Sequence, residues 1–378
     1  MSSGIFGQFG ILYALLALSF LVFFHELGHF LAARFFKVKV EVFSIGFGKR
    51  ILTKKIGETE YSISAIPLGG YVKMKGQDDS NPTAKSDDID SYNSKKPWQR
   101  IVILFAGPFA NFLLAFLLYM FVGNVGVQSL SPKIGLISNS SAAFSADLHV
   151  NDIIRGINGI DVRVWDDIKP IVQKSEGEIS ILVERDGKPL HVKLTPQIGE
   201  TKNIFKETVQ EKLIGISPSY ATHIQKYSGF SSVTYATEQT IKASKMILIS
   251  LQKLVQGIIP AKEMGGVIAI VDISSDFAKA GFVPFLILVA MISVNLGVIN
   301  LFPIPALDGG HIMFNLYEWI FKRAPSEKVF YRLTVLGWAF LLSLMIFVTI
   351  NDLVRITNRI FPQSPSVQIE QTVDNTTK

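Results

Sequence analysis

Four stretches of this chain are apolar for long enough to cross a bilayer. Residues 4–24, 101–122, 283–307 and 333–350 contain no Asp, Glu, Lys or Arg. At 1.5 Å per residue, a helix of about 20 residues traverses a ~30 Å hydrocarbon core, so each run predicts a spanning helix. A fifth apolar stretch, 246–271, is interrupted by Lys253, Pro260, Lys262 and Glu263. It predicts an interfacial helix-loop segment or, equally, a core helix of a soluble subdomain. Between the first two spans the pattern shifts to alternating runs broken by glycine, at 41–48 and 61–74, which predict the strands of a hairpin. Short apolar clusters at 134–137, 153–158, 179–184 and 190–194 predict a small β-rich domain, with Asn158-Gly159 and Asp186-Gly187 as turns and a helix over 165–175. Residues 76–96 and the tail after Pro362 are polar and predict a mobile loop and a disordered end.

These patterns divide the chain into a first span (1–35), a hairpin and loop (36–100), a second span (101–125) and a β-rich domain (126–198). A segment expected to be interfacial (199–280) leads to a third span (281–310), a loop (311–332), a fourth span (333–352) and the polar tail (353–378). Composition agrees with a membrane protein: hydrophobic residues make up 48%, with 28 Phe. There is no cysteine, which excludes disulfides and thiolate metal ligands. A net charge of +6 without a basic block offers no grip for nucleic acid. The start of the chain lacks a basic n-region and a small-residue cleavage site, so the first span is expected to stay in the mature protein. Lys and Arg cluster after the first span, before the second, and between the third and fourth. The positive-inside rule then places 33–100 and 311–332 in the cytoplasm, and both termini outside together with 126–280.

Chemistry enters at 25–29, where the first span ends in His-Glu-Leu-Gly-His. Two imidazoles four residues apart share one helix face, a spacing that suits one zinc ion, and the intervening Glu26 can serve as general base. Ionisable groups are costly in a membrane helix, by roughly 2.5–3.5 kcal/mol for a central charge, so their presence there argues for function. The third span ends in Asn300, Pro303, Pro305 and Asp308 within nine residues. Two prolines so close prevent a regular helix, and broken backbone at membrane depth is tolerated where it lines a cavity. Asp308 alone would read as a helix cap. On the predicted topology it shares a leaflet with His25 and His29, and so reads as the third ligand, with His311 as a competitor. Nitrogen and oxygen donors alone would also accept other divalent ions. In the second span, small residues around Asn111 permit close helix approach; a hydrogen bond from Asn111 toward the active site is one reading, and helix packing is the role expected of it.

HELGH, the NLFPIPALDGGH stretch around Asp308, IPLGGYVKM at 66–74 and ISVNLGVINLFP at 292–303 resemble the site-2 protease family of intramembrane metalloproteases. Within it they are most similar to the bacterial regulator-of-sigma-E branch. The resemblance implies a multi-pass α-helical membrane protein of about four transmembrane helices, with a cytoplasm-side membrane-associated β-hairpin and one inserted extramembrane PDZ-like β-rich domain. It implies a bacterial inner-membrane protease that uses Zn2+ held by His25, His29 and Asp308, with Glu26 as general base and acid. The family's third-span Asn maps onto Asn295, implied to hold substrate together with the broken backbone at Asn300, Pro303 and Pro305. The implied substrates are transmembrane segments, such as those of an anti-sigma factor, or remnant signal peptides. The PDZ-like domain would bind or exclude the extracytoplasmic parts of substrates. Studied members of the branch carry two tandem PDZ domains, whereas 127–197 has room for one. A substrate must be unwound before attack, so an edge of the hairpin, at 63–66 or 71–74, is expected to accept it as an added strand. The alternative from another class is a non-catalytic membrane adaptor displaying a PDZ-like domain.

Overall fold

A computed structural model of the chain describes residues 10–77 and 86–360. The expected mobile loop at 76–96 falls partly, and the tail after Pro362 wholly, outside these residues. Among the described residues, four helices are long and apolar enough to cross a membrane: Leu12–Phe35, Pro97–Val125, Phe282–Asn300 and Glu327–Arg359.

Helix α1 (Gly10–Phe35) carries the HELGH motif. Helix α2 (Pro97–Val125) starts with Pro97 at its first position, where the missing N–H is harmless, and the Gln99 side chain accepts from the Lys96 amide at 2.9 Å. The two helices touch at backbone distance. A Cβ added at Gly28 would lie 2.1 Å from the Ala106 carbonyl oxygen, so glycine is what permits this approach. Leu21 and Ala17 then pack against Leu114 of α2 and Val289 of α7 (Phe282–Asn300).

Strands β1 (Val40–Ile56) and β2 (Thr59–Met74) pair antiparallel, with a register that breaks repeatedly between Val40 and Leu52. Val42 to Ile45 align both with Lys73 to Gly70 and with Glu60 to Ile63. Gly46 and Gly48 have φ of 90° and 84°, which lets β1 bend sharply enough to serve two neighbours. Ile63 is therefore flanked by Ile45 and Leu52, whereas, among the described residues, 71–74 pair as a strand on one side only. Of the two edges expected from sequence, 71–74 has strand partners on one side among the described residues and Ile63 has them on both.

Beyond α2, strands β3 (Val127–Leu130), β4 (Ile134–Ile137), β5 (Ile153–Ile157), β6 (Ile160–Asp161), β7 (Ile179–Arg185) and β8 (Lys188–Leu194) follow. They are joined by the short helices α3 (Ala142–Ser145) and α4 (Ile168–Lys174). A four-stranded sheet runs β6-β5-β7-β8 over a core in which Ile134, Ile154, Ile157, Ile179, Ile181 and Val183 are fully buried. The expected boundary at 198 is too early. Strands β9 (Gln197–Lys202) and β10 (Thr208–Leu213) form a hairpin, and then β11 (Ile216–Pro218) pairs with β4 and β12 (Thr222–Gln225) with β3. Ile214 joins the same core, so the returning chain satisfies strand edges that β3 and β4 would otherwise leave open.

The stretch 246–271 divides between two helices, α5 (Phe230–Val255) and α6 (Val267–Ala280), neither of them among the four candidate spans. Ala236 of α5 packs against Ala115 and Tyr119 of α2. Helix α7 ends at Asn300, ahead of the prolines expected to prevent a regular helix in the rest of the apolar run to 307. Helix α8 (Asp308–Phe321) then occupies part of what was expected to be a loop, and α9 (Glu327–Ile360) is longer at both ends than the expected fourth span.

Candidate functional site

His25 and His29 stand one turn apart on α1, their ring centroids 4.8 Å apart and nearly perpendicular. Their Nε2 atoms are 3.3 Å from each other. Asp308 Oδ2 lies 3.3 Å from His25 Nε2 and 3.4 Å from His29 Nε2. A tetrahedral ion with bonds of about 2.0–2.1 Å has edges of about 3.3–3.4 Å. The three donor atoms are thus spaced like one face of such a tetrahedron.

The environment of Asp308 supports the same reading. Its Oδ2 is buried and has no hydrogen-bond partner, although two imidazole nitrogens crowd it. Two imidazole nitrogens and a carboxylate oxygen that converge in a buried space suit a cation. The N-cap of α8 is Leu307, with no side-chain cap, so the Asp308 carboxylate is not engaged as one. As the first residue of α8 it also sits at the positive end of the helix dipole.

The segment 301–307 brings Asp308 to this place. After α7 stops, the Ile304 amide donates to the Phe302 carbonyl at 2.7 Å and the Leu307 amide to the Ile304 carbonyl at 2.8 Å. The turn then presses onto the start of α8. A Cβ at Gly309 or Gly310 would come within 2.3 Å of the Leu301 or Ile304 carbonyl oxygen, respectively. Pro305 and Ala306 lie against Gly337 of α9. Pro303 is exposed and Pro305 half-buried, and both shape this turn.

Helix α2 supports the histidines from behind. A carbonyl can only accept, so His29 donates from Nδ1 to the Ile103 oxygen at 2.9 Å. That fixes the tautomer with the Nε2 lone pair aimed at Asp308. Gly107 clears the space for the ring: a Cβ there would lie 2.2 Å from His29 Nε2. Asn111 Nδ2 lies 3.2 Å from His25 Nδ1, and Asn300 Nδ2 lies 3.3 Å from His25 Nε2. Glu26 faces the hairpin, where a Cβ at Gly70 would stand 3.1 Å from Glu26 Cγ and 2.9 Å from Val22 Cγ1.

His25, His29, Asp308 and Asn300 therefore come together, with Glu26 on the adjoining helix face. Asn295 is not brought to them by any described contact. It precedes Asn300 by five residues on α7, about 140° around the helix. His311 turns away instead, against Phe314 and Phe330 with centroids 6.2 and 5.9 Å from its own. Asn111 was expected to pack helices, with a hydrogen bond toward the site as the alternative, and its side chain reaches His25. The available signal was the spacing of Ile103, Gly107 and Asn111, four residues apart on a helix antiparallel to α1.

Residues 13–344 match peptidase family M50. A Campylobacter jejuni protein named as a zinc metalloprotease, Cj1068, is 48% identical over 341 residues, covering 90% of this chain and 92% of that protein. A Helicobacter pylori protein also named as a zinc metalloprotease is 39% identical over 350 residues, covering 91% and 99%. The regulator of sigma-W protease RasP of Bacillus subtilis is 32% identical over 414 residues, covering 89% and 96%.

Proposed function

The chain belongs to peptidase family M50, the site-2 protease family of zinc metalloproteases, and from that premise we propose that it hydrolyses peptide bonds in the transmembrane segments of membrane proteins. The observation that carries this reading is the convergence of His25 Nε2, His29 Nε2 and Asp308 Oδ2 at tetrahedral spacing, at the end of a helix apolar enough to span a bilayer. These three residues would hold the zinc ion. Zinc supplies a Lewis acid that polarises a carbonyl and brings the ionisation of water to about pH 7.

The protein's own groups do the rest. Glu26 takes the proton from the attacking water and returns it to the leaving amine. His29 keeps its Nε2 lone pair available through the bond to the Ile103 carbonyl. Asn300 offers an amide donor beside His25, where it can hold the oxygen of the bond being cut. The open edge at 71–74 begins next to Glu26 and accepts the unwound substrate as an added strand, replacing hydrogen bonds lost from its helix. Phe47, Ile51, Leu52, Ile56, Ile63 and Ile66 expose apolar side chains along the same hairpin, a surface suited to lying in lipid.

The positive-inside reading puts this site near the cytoplasmic face of a bacterial inner membrane, with the sheet domain on the other side. That domain is PDZ-like. A cavity of about 380 Å³ between the β5–β6 turn and α4, lined by Ile160, Pro170, Ile171 and Lys174, would receive an extended segment or restrict its entry. RasP is named as a regulator of sigma-W, which favours a membrane-bound anti-sigma factor as one substrate, with remnant signal peptides as another.

The test is Glu26→Gln in the purified full-length protein with a single-span model substrate. Zinc content should equal that of wild type, with cleavage slower by about 10²–10⁴-fold. Cleavage at the wild-type rate would overturn the assignment.

A further inference from the structure

Helix α2 faces both imidazoles of α1, but the two contacts differ in kind. His29 has a backbone acceptor, the Ile103 carbonyl. His25 has a side chain, Asn111, with no exposed surface at all. The Asn111 backbone carbonyl accepts from Ser293 Oγ at 2.8 Å, which ties this turn of α2 to α7. Its amide nitrogen lies 3.2 Å from His25 Nδ1, while its Oδ1 is buried without a partner.

His25 Nε2 points at Asp308 Oδ2, so a cation held there takes the Nε2 lone pair. The neutral ring must then carry its proton on Nδ1. An N–H facing an amide NH2 sets donor against donor. A half-turn of the Asn111 amide about Cβ–Cγ places Oδ1 there instead, in nearly the same volume. One rotation gives the orphaned oxygen a donor and the ring proton an acceptor.

We propose that Asn111 is the positioning residue for His25. With zinc bound, Oδ1 accepts from Nδ1–H and aims Nε2 at the ion. Without it, the amide donates to a bare Nδ1 and the ring takes the other tautomer. Helix α2 thereby supplies the outer acceptor of both histidines, one from its backbone and one from a side chain able to turn. The proposal rests on His25 being a zinc ligand.

The test measures zinc affinity of the full-length protein in detergent by competition with a chromogenic chelator. Asn111→Leu, which removes the acceptor, should weaken zinc by about 10–100-fold, the usual effect of losing an outer partner. Asn111→Asp keeps an acceptor and loses the donor, and should bind zinc at least as tightly as wild type. Should the Leu protein fail to fold, the Asp protein decides: a loss of about tenfold or more would mean that the donor, not the acceptor, matters, and overturns the proposal. His25→Ala separates the underlying reading. If it binds zinc like wild type, His25 is no ligand. If it loses zinc while Asn111→Leu does not, only the positioning role falls. In selectively ¹⁵N-histidine-labelled, zinc-loaded protein, the His25 Nδ1–H resonance should be protected in wild type and Asn111→Asp, and exchange freely in Asn111→Leu. Equal protection in all three would also refute it.

Discussion

A single methyl group at Gly107 should remove zinc while leaving the fold standing. In Gly107→Ala the new Cβ would lie 2.2 Å from His29 Nε2, 2.5 Å from Cε1 and 2.8 Å from Cδ2. The ring must retreat by about 1.2 Å to reach ordinary contact. It cannot do so freely, because Nδ1 is bonded at 2.9 Å to the Ile103 carbonyl on the same helix. Metal–ligand distances tolerate only about 0.2 Å, several times less than this displacement. We therefore expect zinc affinity to fall by about 100-fold or more and cleavage to fall with it, since a lost ligand exceeds a lost outer partner. The zinc-free fold should change far less. Gly to Ala in a helix gains up to about 1 kcal/mol, against about 1–3 kcal/mol of overpacking, and the colliding atom belongs to a side chain that can turn. Gly28→Ala is the counterpart. Its Cβ would meet the Ala106 carbonyl oxygen at 2.1 Å and Ala110 Cβ at 2.9 Å, so α1 and α2 must separate and stability itself should drop. Zinc titration and thermal unfolding of the zinc-free proteins distinguish the two. Gly107→Ala with wild-type zinc affinity and turnover would refute the packing argument.

Three other outcomes follow from particular contacts. In the sheet domain, burial pushes the Asp152 carboxyl up, but the Arg185 guanidinium at 2.8 Å to both its oxygens and the His149 amide at 2.9 Å outweigh this and hold it below the usual range. Its stabilising contribution is thus complete above about pH 4 and is lost as pH falls through the lowered value. Asp152→Asn should flatten the acid limb of the domain's unfolding profile, and an unchanged limb would contradict this. Asp352 of α9, 2% exposed, accepts from the Gly266 and Ala269 amides at the start of α6. Asp352→Ala should destabilise by about 0.5–2 kcal/mol, as loss of a helix cap does, and an unshifted melting temperature would count against it. Alternate residues of 71–73 aim their amides away from β1. Proline at those positions should slow cleavage roughly two- to tenfold without loss of zinc, and unaffected cleavage at both parities would sink the added-strand reading.

Features governed by local spacing were legible in the sequence. The spans are runs without charge, and HELGH carries its geometry in its own interval. What escaped depends on contacts between distant parts. Strands β11 and β12 have three and four residues, too few to show a period, and exist because β4 and β3 lie beside them. The enclosure of Ile63 follows from the double alignment of Val42 to Ile45, which needs the bends at Gly46 and Gly48. Asn111 lies in an apolar run with small residues at Ala106, Gly107 and Ala110, and only the facing helix reveals which histidine it meets. Of Asn295 and Asn300, both expected to hold substrate, the described contacts bring Asn300 beside His25, a choice that depends on the turn of α7.

The prolines show why the end of α7 matters. Were the helix to continue from Asn300, Asp308 would lie about 12 Å further along its axis, at 1.5 Å per residue. Both side chains instead reach the same atom, since Asn300 Nδ2 and Asp308 Oδ2 are each 3.3 Å from His25 Nε2. Pro303 and Pro305 remove the amides that would continue the ladder, and the chain doubles back within seven residues. The glycines at 309 and 310 accept the folded turn at distances no side chain would allow. The carboxylate thus arrives at the site on a new helix, with that helix's N-terminus behind it. A third ligand from an unbroken span could have neither this position nor this dipole, so the break in the helix creates the site.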